Sequence, residues 1–415
     1  MRILVLGSGG REHALAWRLA RSPGARVYAT PGNPGIAQVA ELVPAPGSDP
    51  SAFLKVAQSV DADLTVVGPE APLVAGVVDQ FRAAGRRIVG PSAEGARLEG
   101  SKVFAKQFFR DHRIPTADFV TCDDAEAALK ALDSFGYPVV IKADGLAAGK
   151  GVVIAADRTS AATAIESLGP RLVVEEFLAG EEVSFIALSD GRNVIPLEPT
   201  QDHKAVYDGD TGPNTGGMGA YCDSTILSNA DTRRILDTII RPAIDATEFT
   251  GFLYAGLMMT TQGPKVLEFN VRLGDPETQP LMHRLKTELA PVLMAAATGE
   301  LDRVSLDWHA GSSVCVVLAS GGYPGRYETG HPISGVLEAE VAGATVFHAG
   351  TRVGKAGLET AGGRVLGVTA SAGDLPEAIL RTYAAVERIQ FQNMHYRRDI
   401  GRRGLRRYNE RASGT

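Results

Sequence analysis

A chain of 415 residues is too long for one hydrophobic core, and typical domain sizes divide it into roughly two to four domains. With 44% hydrophobic and 22% charged residues it has ordinary globular composition, and 48 acids against 42 bases give a net charge of −6, which excludes a global electrostatic attraction to nucleic acid or an anionic membrane. Cys122, Cys222 and Cys315 form no CxxC pair, which argues against a disulfide framework or a structural zinc and fits a reducing cytoplasm; no apolar run reaches the ~18 residues that span a bilayer.

The first hundred residues alternate strand and helix. Residues 3–6 are an apolar run that ends in Gly7-Ser8-Gly9-Gly10, and it reads as a strand followed by glycines, not as a signal peptide. A helix is expected over 11–21, and strands over 26–29, 64–67 and 87–89. Continuous apolar strands separated by helices predict a parallel sheet with right-handed crossovers. The glycine cluster invites a dinucleotide reading, but that fingerprint needs a small residue where Glu12 stands. The second strand also lacks a terminal acid; it runs into Pro31-Gly32-Asn33-Pro34-Gly35. Two glycine-rich turns at the carboxyl ends of adjacent parallel strands suit a single phosphate, with Arg11 adding charge. A purely structural turn and a nicotinamide site are the alternatives. Gly68-Pro69-Glu70 closes a third strand at the same sheet end. Glu70 either accepts from sugar hydroxyls or is a helix N-terminal acid.

From Ser101 the pattern changes. Ser101 caps a helix expected to reach about 112. Strands are expected over 138–143, 151–155, 171–177 and 183–188, making a small α+β lobe between about 115 and 188. Residues 142–152 resemble a Walker A loop, but Asp144 and Gly151 stand where it needs glycine and Ser/Thr, and a β-like run follows. The segment therefore reads as a glycine hairpin, with Gly145, Gly149, Lys150 and Gly151 able to close over a triphosphate. Lys142, on an apolar strand, needs an anionic partner: a phosphate or an internal carboxylate. Glu175-Glu176-Phe177-Leu178 links two strands and could read an adenine edge, with Glu182 near the ribose; acids are also common in turns. Residues 208–219, with Asp210 and Asn214, form a long glycine-rich polar loop, functional or a mobile surface turn.

A strand over 194–199 and a helix over 231–246 precede a hairpin, 252–261 and 265–272, around Gln262-Gly263-Pro264. Strand alternation puts Glu268, Asn270 and Arg272 on one face. A carboxylate with an amide oxygen suits Mg²⁺, and the arginine can clamp a phosphate. An exposed strand face with a surface ion pair is the bland alternative. Beyond 312, strands over 314–318 and 364–370 and a helix over 375–388 lead to a tail with Arg397, Arg398, Arg402, Arg403, Arg406, Arg407 and Arg411. That tail could bind phosphate, or be a solvated helix face or a disordered end. No GxSxG elbow, HExxH helix or Cys–His pair is present, so covalent nucleophilic chemistry is not indicated. His13 and His203 are the histidines that sit beside the loops named above.

A flap after a strand lysine, a Glu-Glu-Phe-Leu linker and a Glu-x-Asn-x-Arg strand, in that order, resemble the ATP-grasp superfamily. Five pieces are similar to the glycinamide ribonucleotide synthetase (phosphoribosylamine–glycine ligase) family. They are residues 7–14, residues 31–35, residues 142–152, Gly212-Pro213-Asn214-Thr215-Gly216-Gly217-Met218-Gly219-Ala220-Tyr221 and residues 267–279. The resemblance implies a multidomain α/β and α+β chain. It comprises an N-terminal parallel α/β domain over 1–100, an ATP-grasp domain over 101–311 with its small mobile lobe, and a small C-terminal α+β domain over 312–415.

The resemblance further implies a ligase that joins 5-phosphoribosylamine to glycine with ATP cleaved to ADP and phosphate, through glycyl phosphate, in purine synthesis. Mg²⁺ or Mn²⁺ would sit on Glu268 and Asn270. Lys102 and Lys142 would neutralise phosphate oxygens under the flap, and Arg272 would stabilise the transferred group or the glycine carboxylate. Glu175, Glu176, Phe177 and Leu178 would frame adenine, with Glu182 on its ribose. Gly9, Gly10, Arg11, Asn33 and Glu70 would take the phosphoribose. Asp210, Asn214, Gly274 and Asp275 would close over amine and glycine. A cytoplasmic monomer with no nucleic-acid or membrane partner is expected. Two departures are visible: Ala205 stands where a basic residue is expected, and Cys222-Asp223 replaces Ser-Pro. A related carboxylate–amine ligase or a non-catalytic nucleotide module are the competing readings.

Overall fold

Ile3, Leu4, Val5 and Leu6 are all fully buried because helices cover both faces of the sheet they belong to. The structure, a computed structural model, describes residues 1–146, 151–355 and 357–412, with only the backbone for 409–412. Its first sheet contains β1 (Arg2–Gly7), β2 (Arg26–Pro31), β3 (Glu41–Leu42), β4 (Leu64–Val67) and β5 (Ile88–Val89), all parallel, in the order β3-β2-β1-β4-β5. Chain order reverses at β1, so a crevice opens beyond the carboxyl ends of β1 and β4. Both the Gly7 and the Gly68 turns face it.

The small lobe is β6 (Phe119–Cys122), β7 (Val139–Ala143), β8 (Val152–Ala155) and β9 (Leu172–Glu176), antiparallel in the order β6-β9-β7-β8. It buries a core of its own, including Cys122, Leu132, Ile141, Ile165 and Val174, separate from the cores of the rest. The expected flap residues Gly149 and Lys150 lie outside the described residues.

The remaining strands follow as β10 (Glu181–Asp190), β11 (Val194–Pro196), β12 (Thr200–Asp202), β13 (Ala205–Tyr207), β14 (Thr211–Asn214), β15 (Gly219–Cys222), β16 (Thr250–Thr260) and β17 (Gly263–Asn270). Then come β18 (Ser312–Ala319), β19 (Thr345–His348), β20 (Thr351–Gly354), β21 (Gly357–Thr360) and β22 (Arg364–Ala372). One large antiparallel sheet runs β17-β16-β10-β12-β15-β18-β22-β19, with β11 on the side of β10. It is continuous across residue 312, because β15 pairs with β18 through four residue pairs. The expected helix over 231–246 is Asn229–Ile235 and Arg241–Thr247 joined by a π-turn, Leu236–Ile240.

The β16–β17 hairpin carries a bulge. Gly256 opposes Glu268 and Leu257 opposes Val266, so Leu267 is the extra residue. The bulge leaves the Leu267 carbonyl off the ladder, and the Lys142 ammonium donates to it at 2.9 Å.

Among the described residues the basic tail is in part the expected solvated face, with Arg398, Arg402 and Arg406 exposed, and in part packed against the rest of the chain. It forms the helix Arg402–Ala412, preceded by Arg397, which is 1% exposed. The Arg397 guanidinium donates to Asp399 through two nitrogens at 2.8 Å each and lies 2.9 Å from Asp210. A planar fork meeting two carboxylates explains how an arginine can be buried.

Candidate functional site

A cavity of about 510 Å³ lies between the small lobe, the large sheet and the carboxyl end of the N-terminal sheet. A more open hollow of about 370 Å³, at Arg326, Glu328 and His331, carries none of the groups described below.

On the lobe side, Glu175 is 1% exposed and receives two lysines. Lys142 Nζ is 2.5 Å from Oε1, and Lys106 pairs with Oε2. Lys106 also donates to Thr116 Oγ1 at 2.7 Å, and that hydroxyl donates to the Val266 carbonyl at 2.7 Å. Burial lowers the Lys106 pKa to about 8 although Glu175 pulls it back up. Burial raises Glu175, but the two lysines outweigh it and hold the carboxyl below its ordinary range. The partner of Lys142 is thus an internal carboxylate, with the Leu267 carbonyl accepting a further hydrogen bond from the ammonium. Glu175, expected at adenine, has both oxygens committed to lysines; Glu176, Phe177 and Leu178 line the cavity beside it. Lys102 lies at the lobe junction, donating to the Gly145 carbonyl at 2.9 Å.

Glu268, Asn270 and Arg272 all line the cavity. Burial raises the Glu268 pKa, but Lys204, Lys142, Lys102 and Arg272 outweigh it and keep the carboxylate ionised. Lys204 bonds Glu182 and lies 3.9 Å from Glu268. The Asn270 amide has no hydrogen-bond partner among the described residues. No cluster of three His, Cys, Asp or Glu suited to a metal occurs among the described residues. A carboxylate and one amide oxygen are a donor set that fits a hard cation completing its shell with water and phosphate oxygens, and does not fit a structural zinc.

Arg272 is drawn toward the N-terminal sheet. Its guanidinium donates to Glu99 at 2.7 Å and to Glu70 at 3.3 Å, while the Val271 N–H donates to the second Glu99 oxygen at 2.8 Å. Burial works against the Arg272 charge, but Glu99 and Glu70 outweigh it and raise its pKa further. Glu70, expected to meet a sugar, here meets Arg272. Arg11 lines the same wall, with its guanidinium on Glu12 at 2.6 Å and on the Leu273 carbonyl at 3.1 Å. Asn214, Gly274 and Asp275 line the cavity too. Asp275 is 3.2 Å from Arg364, and burial of its carboxyl is outweighed chiefly by that arginine.

Other expected contacts lie elsewhere. Gly9, Gly10 and Asn33 are not on the cavity wall. The Asn33 amide donates to the Ser8 and His348 carbonyls at 2.8 Å each and accepts from the Ile36 N–H at 2.9 Å, so it ties two turns to β19. Asp210 is held away from the cavity by Arg397 and Arg403, the latter at 2.8 Å. Glu12, the residue that breaks the dinucleotide fingerprint, fills the crevice instead. A Cβ on Gly7 would come within 2.5 Å of it and one on Gly68 within 2.0 Å.

Lys106, Glu99, Lys204 and Arg364 line the cavity and were not anticipated as site residues. Lys106 follows Lys102 by one helical turn, which is the signal that could have found it. Glu99, Lys204 and Arg364 carry no local pattern. Of the two departures, Ala205 is buried, and Cys222 accepts from Arg284 at 3.5 Å while Asp223 accepts from the Ser312 hydroxyl at 2.6 Å. Both substitutions sit away from the cavity wall.

Residues 1–99, 100–278 and 313–403 match the N, ATP-grasp (A) and C domains of the family described as phosphoribosylglycinamide synthetase. A phosphoribosylamine–glycine ligase of Escherichia coli (strain K12) is 49% identical over 426 residues, covering 98% of this chain and 99% of its own length. One from Yersinia pestis is 48% identical, covering 98% and 100%. The crystal structure of the Thermotoga maritima phosphoribosylamine–glycine ligase superposes with a TM-score of 0.84 at 34% identity, covering 96% of this chain and 100% of that one. The biotin carboxylase domain of Hydrogenobacter thermophilus 2-oxoglutarate carboxylase, solved with MgADP, ADP and bicarbonate, gives 0.73 at 18% identity over 95% of this chain and 91% of that one. That last likeness is one of fold alone.

Proposed function

The chain belongs to the phosphoribosylglycinamide synthetase family, and on that premise we propose how its residues share the work. It is an ATP-dependent ligase that joins 5-phosphoribosylamine and glycine to give glycinamide ribonucleotide in purine biosynthesis. The division into an N-terminal unit over 1–100, an ATP-grasp unit over 101–311 and a C-terminal unit over 312–415 is part of the proposal.

A carboxylate is a poor acyl donor because its oxygen is a poor leaving group. Attack of the glycine carboxylate on the γ-phosphorus of ATP forms a P–O bond, releases ADP and gives glycyl phosphate. The phosphoribosylamine nitrogen then attacks the acyl carbon, phosphate leaves, and the amine gives up a proton. Phosphoryl transfer needs positioning and charge neutralisation more than covalent help.

Lys102 and Lys142 would neutralise phosphate oxygens, with Gly145 and Gly151 at the mouth. Glu175 would set the direction of the Lys142 ammonium from behind. Glu176, Phe177 and Leu178 would frame the adenine, and Glu182 would accept from the ribose. Glu268 and Asn270 would hold a divalent cation, magnesium or manganese, which would supply positive charge to neutralise phosphate oxygens. Arg272, steered by Glu99 and Glu70, would face the transferred group or the glycine carboxylate. Arg11, Asn214, Gly274 and Asp275 would line the side where amine and glycine meet. Action as a monomer in the cytoplasm, without nucleic acid or membrane, belongs to the same proposal; no helix among the described residues is long and apolar enough to cross a membrane.

The observation that carries this reading is one cavity wall bearing Glu268, Asn270 and Arg272, with Lys102 and Lys142 close enough to hold Glu268 ionised. The test is ADP release from the purified protein. Release that requires both phosphoribosylamine and glycine supports it; release with a different acid or amine, or binding of ATP without turnover, overturns it.

A further inference from the structure

We propose that the C-terminal helix Arg402–Ala412 positions the nucleotide side of the cavity through Arg407. The proposal rests on the reading of Glu182 as the ribose contact.

Strands β10 and β12 lie side by side in the large sheet, yet their ladder registers a single residue pair, Ser184 with Thr200. Beyond that pair the β10–β12 ladder stops, and the unpaired seam holds Glu182 and Asp202, both on the cavity wall and each paired only on its outer side, Glu182 with Met258 and Asp202 with Ala220. Alternation along each strand sends their neighbours Glu181 and Gln201 to the opposite side. Arg407 joins those two neighbours. Its guanidinium pairs with Glu181, donates to Gln201 Oε1 at 2.8 Å, and donates to the Tyr221 hydroxyl of β15 at 2.6 Å. Gln201 in turn donates to Glu181 Oε1 at 2.9 Å and to the Glu182 carbonyl at 2.7 Å. One guanidinium therefore touches three adjacent strands and bridges the seam where β10 and β12 lack backbone pairing. The Glu182 backbone is one bond from that hub.

The helix is closely seated. Gly404 packs on Tyr221, where a Cβ would stand 2.9 Å from the ring, and on Leu375, where it would stand 2.3 Å from a methyl. One turn before Arg407, Arg403 donates to Asp210 at 2.8 Å. On the cavity side the hub continues through Lys204, which bonds Glu182 and approaches Glu268. A planar fork with several fixed donors is suited to this; an ammonium would hold one strand at a time.

The experiment measures kcat and the KM for ATP and for glycine in Arg407→Ala, Arg407→Lys and Tyr221→Phe, with the exposed Arg406→Ala as control. Arg407→Ala raises the KM for ATP about tenfold while the KM for glycine stays within about twofold. Arg407→Lys and Tyr221→Phe each raise the KM for ATP about threefold, and Arg406→Ala changes neither constant. A KM for ATP that is unchanged in Arg407→Ala, or a loss of kcat with both KM values unchanged, overturns the proposal. If Arg407→Ala does not fold, Tyr221→Phe decides, and an unchanged KM for ATP there overturns it equally. Failure of the parent enzyme to release ADP with both substrates sinks the ligase reading instead, so the two failures are distinguishable.

Discussion

Lys142 on the small lobe donates to the carbonyl of Leu267, the bulged residue of β17, at 2.9 Å. The ammonium that would meet ATP and the strand that would hold the cation are thereby held in one frame. The lobe has its own apolar core and meets the body here through charged and polar groups: Lys102 with Gly145, Lys106 with Glu175, Lys142 with the Leu267 carbonyl, and Ser101 with Asp144 at 2.9 Å. Polar contacts reorganise at lower cost than a shared hydrophobic core, so the lobe can adjust to a ligand without unfolding.

The Glu175 triad is the first place to test that frame. Glu175→Gln leaves two buried ammonium groups without a counter-charge. Removing one member of a buried ion set costs about 3–5 kcal/mol. The urea midpoint should fall accordingly, and Lys106→Met added to Glu175→Gln should recover part of the loss. A midpoint that does not move with Glu175→Gln removes the triad as a structural element.

Glu268→Gln keeps the shape and removes the charge. Its carboxylate sits among Lys204, Lys142, Lys102 and Arg272, so the change leaves cations there with one acid fewer. Ligase kcat should drop by about 10²-fold or more, the scale for losing one electrostatic contributor in a preorganised site. The far-ultraviolet circular dichroism should be unchanged. Near-parent turnover at saturating Mg²⁺ would end the assignment of a cation to this strand.

Period-two alternation was enough to put Glu268, Asn270 and Arg272 on one wall, and apolar continuity was enough to make the first sheet parallel, though not to give its strand order. Each is a local rule that tertiary structure had no reason to override. Glu99 and Arg364 were not legible, because their roles come from approaches across 173 residues to Arg272 and 89 to Asp275. Asn33 and Asp210 sit in glycine-rich turns that look functional, yet both are saturated by distant partners, His348 and the tail arginines. Composition marks a turn as special without saying whether a ligand or another segment fills it.

Gly68→Ala tests whether the N-terminal crevice belongs to the amine substrate. A Cβ at Gly68 would stand 2.0 Å from Glu12 Oε1, the atom that receives Arg11 at 2.6 Å. Glu12 cannot move without releasing Arg11 from its place on the cavity wall. The KM for phosphoribosylamine should rise while that for ATP holds, with a stability loss of about 1–3 kcal/mol from overpacking. Equal changes in both KM values would show that the crevice acts on the whole fold and not on one substrate.

The pH dependence of stability should carry the mark of His13 and His348. His13 Nδ1 accepts the His348 backbone N–H at 2.7 Å, an arrangement that requires that nitrogen to be unprotonated. Burial, with the nearby His348 charge adding to it, lowers His13 to about 3, and burial lowers His348 to about 4. An unfolded histidine titrates near ~6.5. Between about pH 6.5 and those lowered values the unfolded chain binds more protons than the folded one, so stability is fully present above about 6.5 and is lost as pH falls. Each histidine contributes up to ~1.4 kcal/mol per pH unit across that window. Urea unfolding at pH 7.5, 6 and 5 should show a steep decline in the parent and a shallower one in His13→Gln, whatever the variant's absolute stability. Parallel declines would mean that His13 is not held neutral by the fold, because the carboxylates common to both proteins titrate mainly below this range.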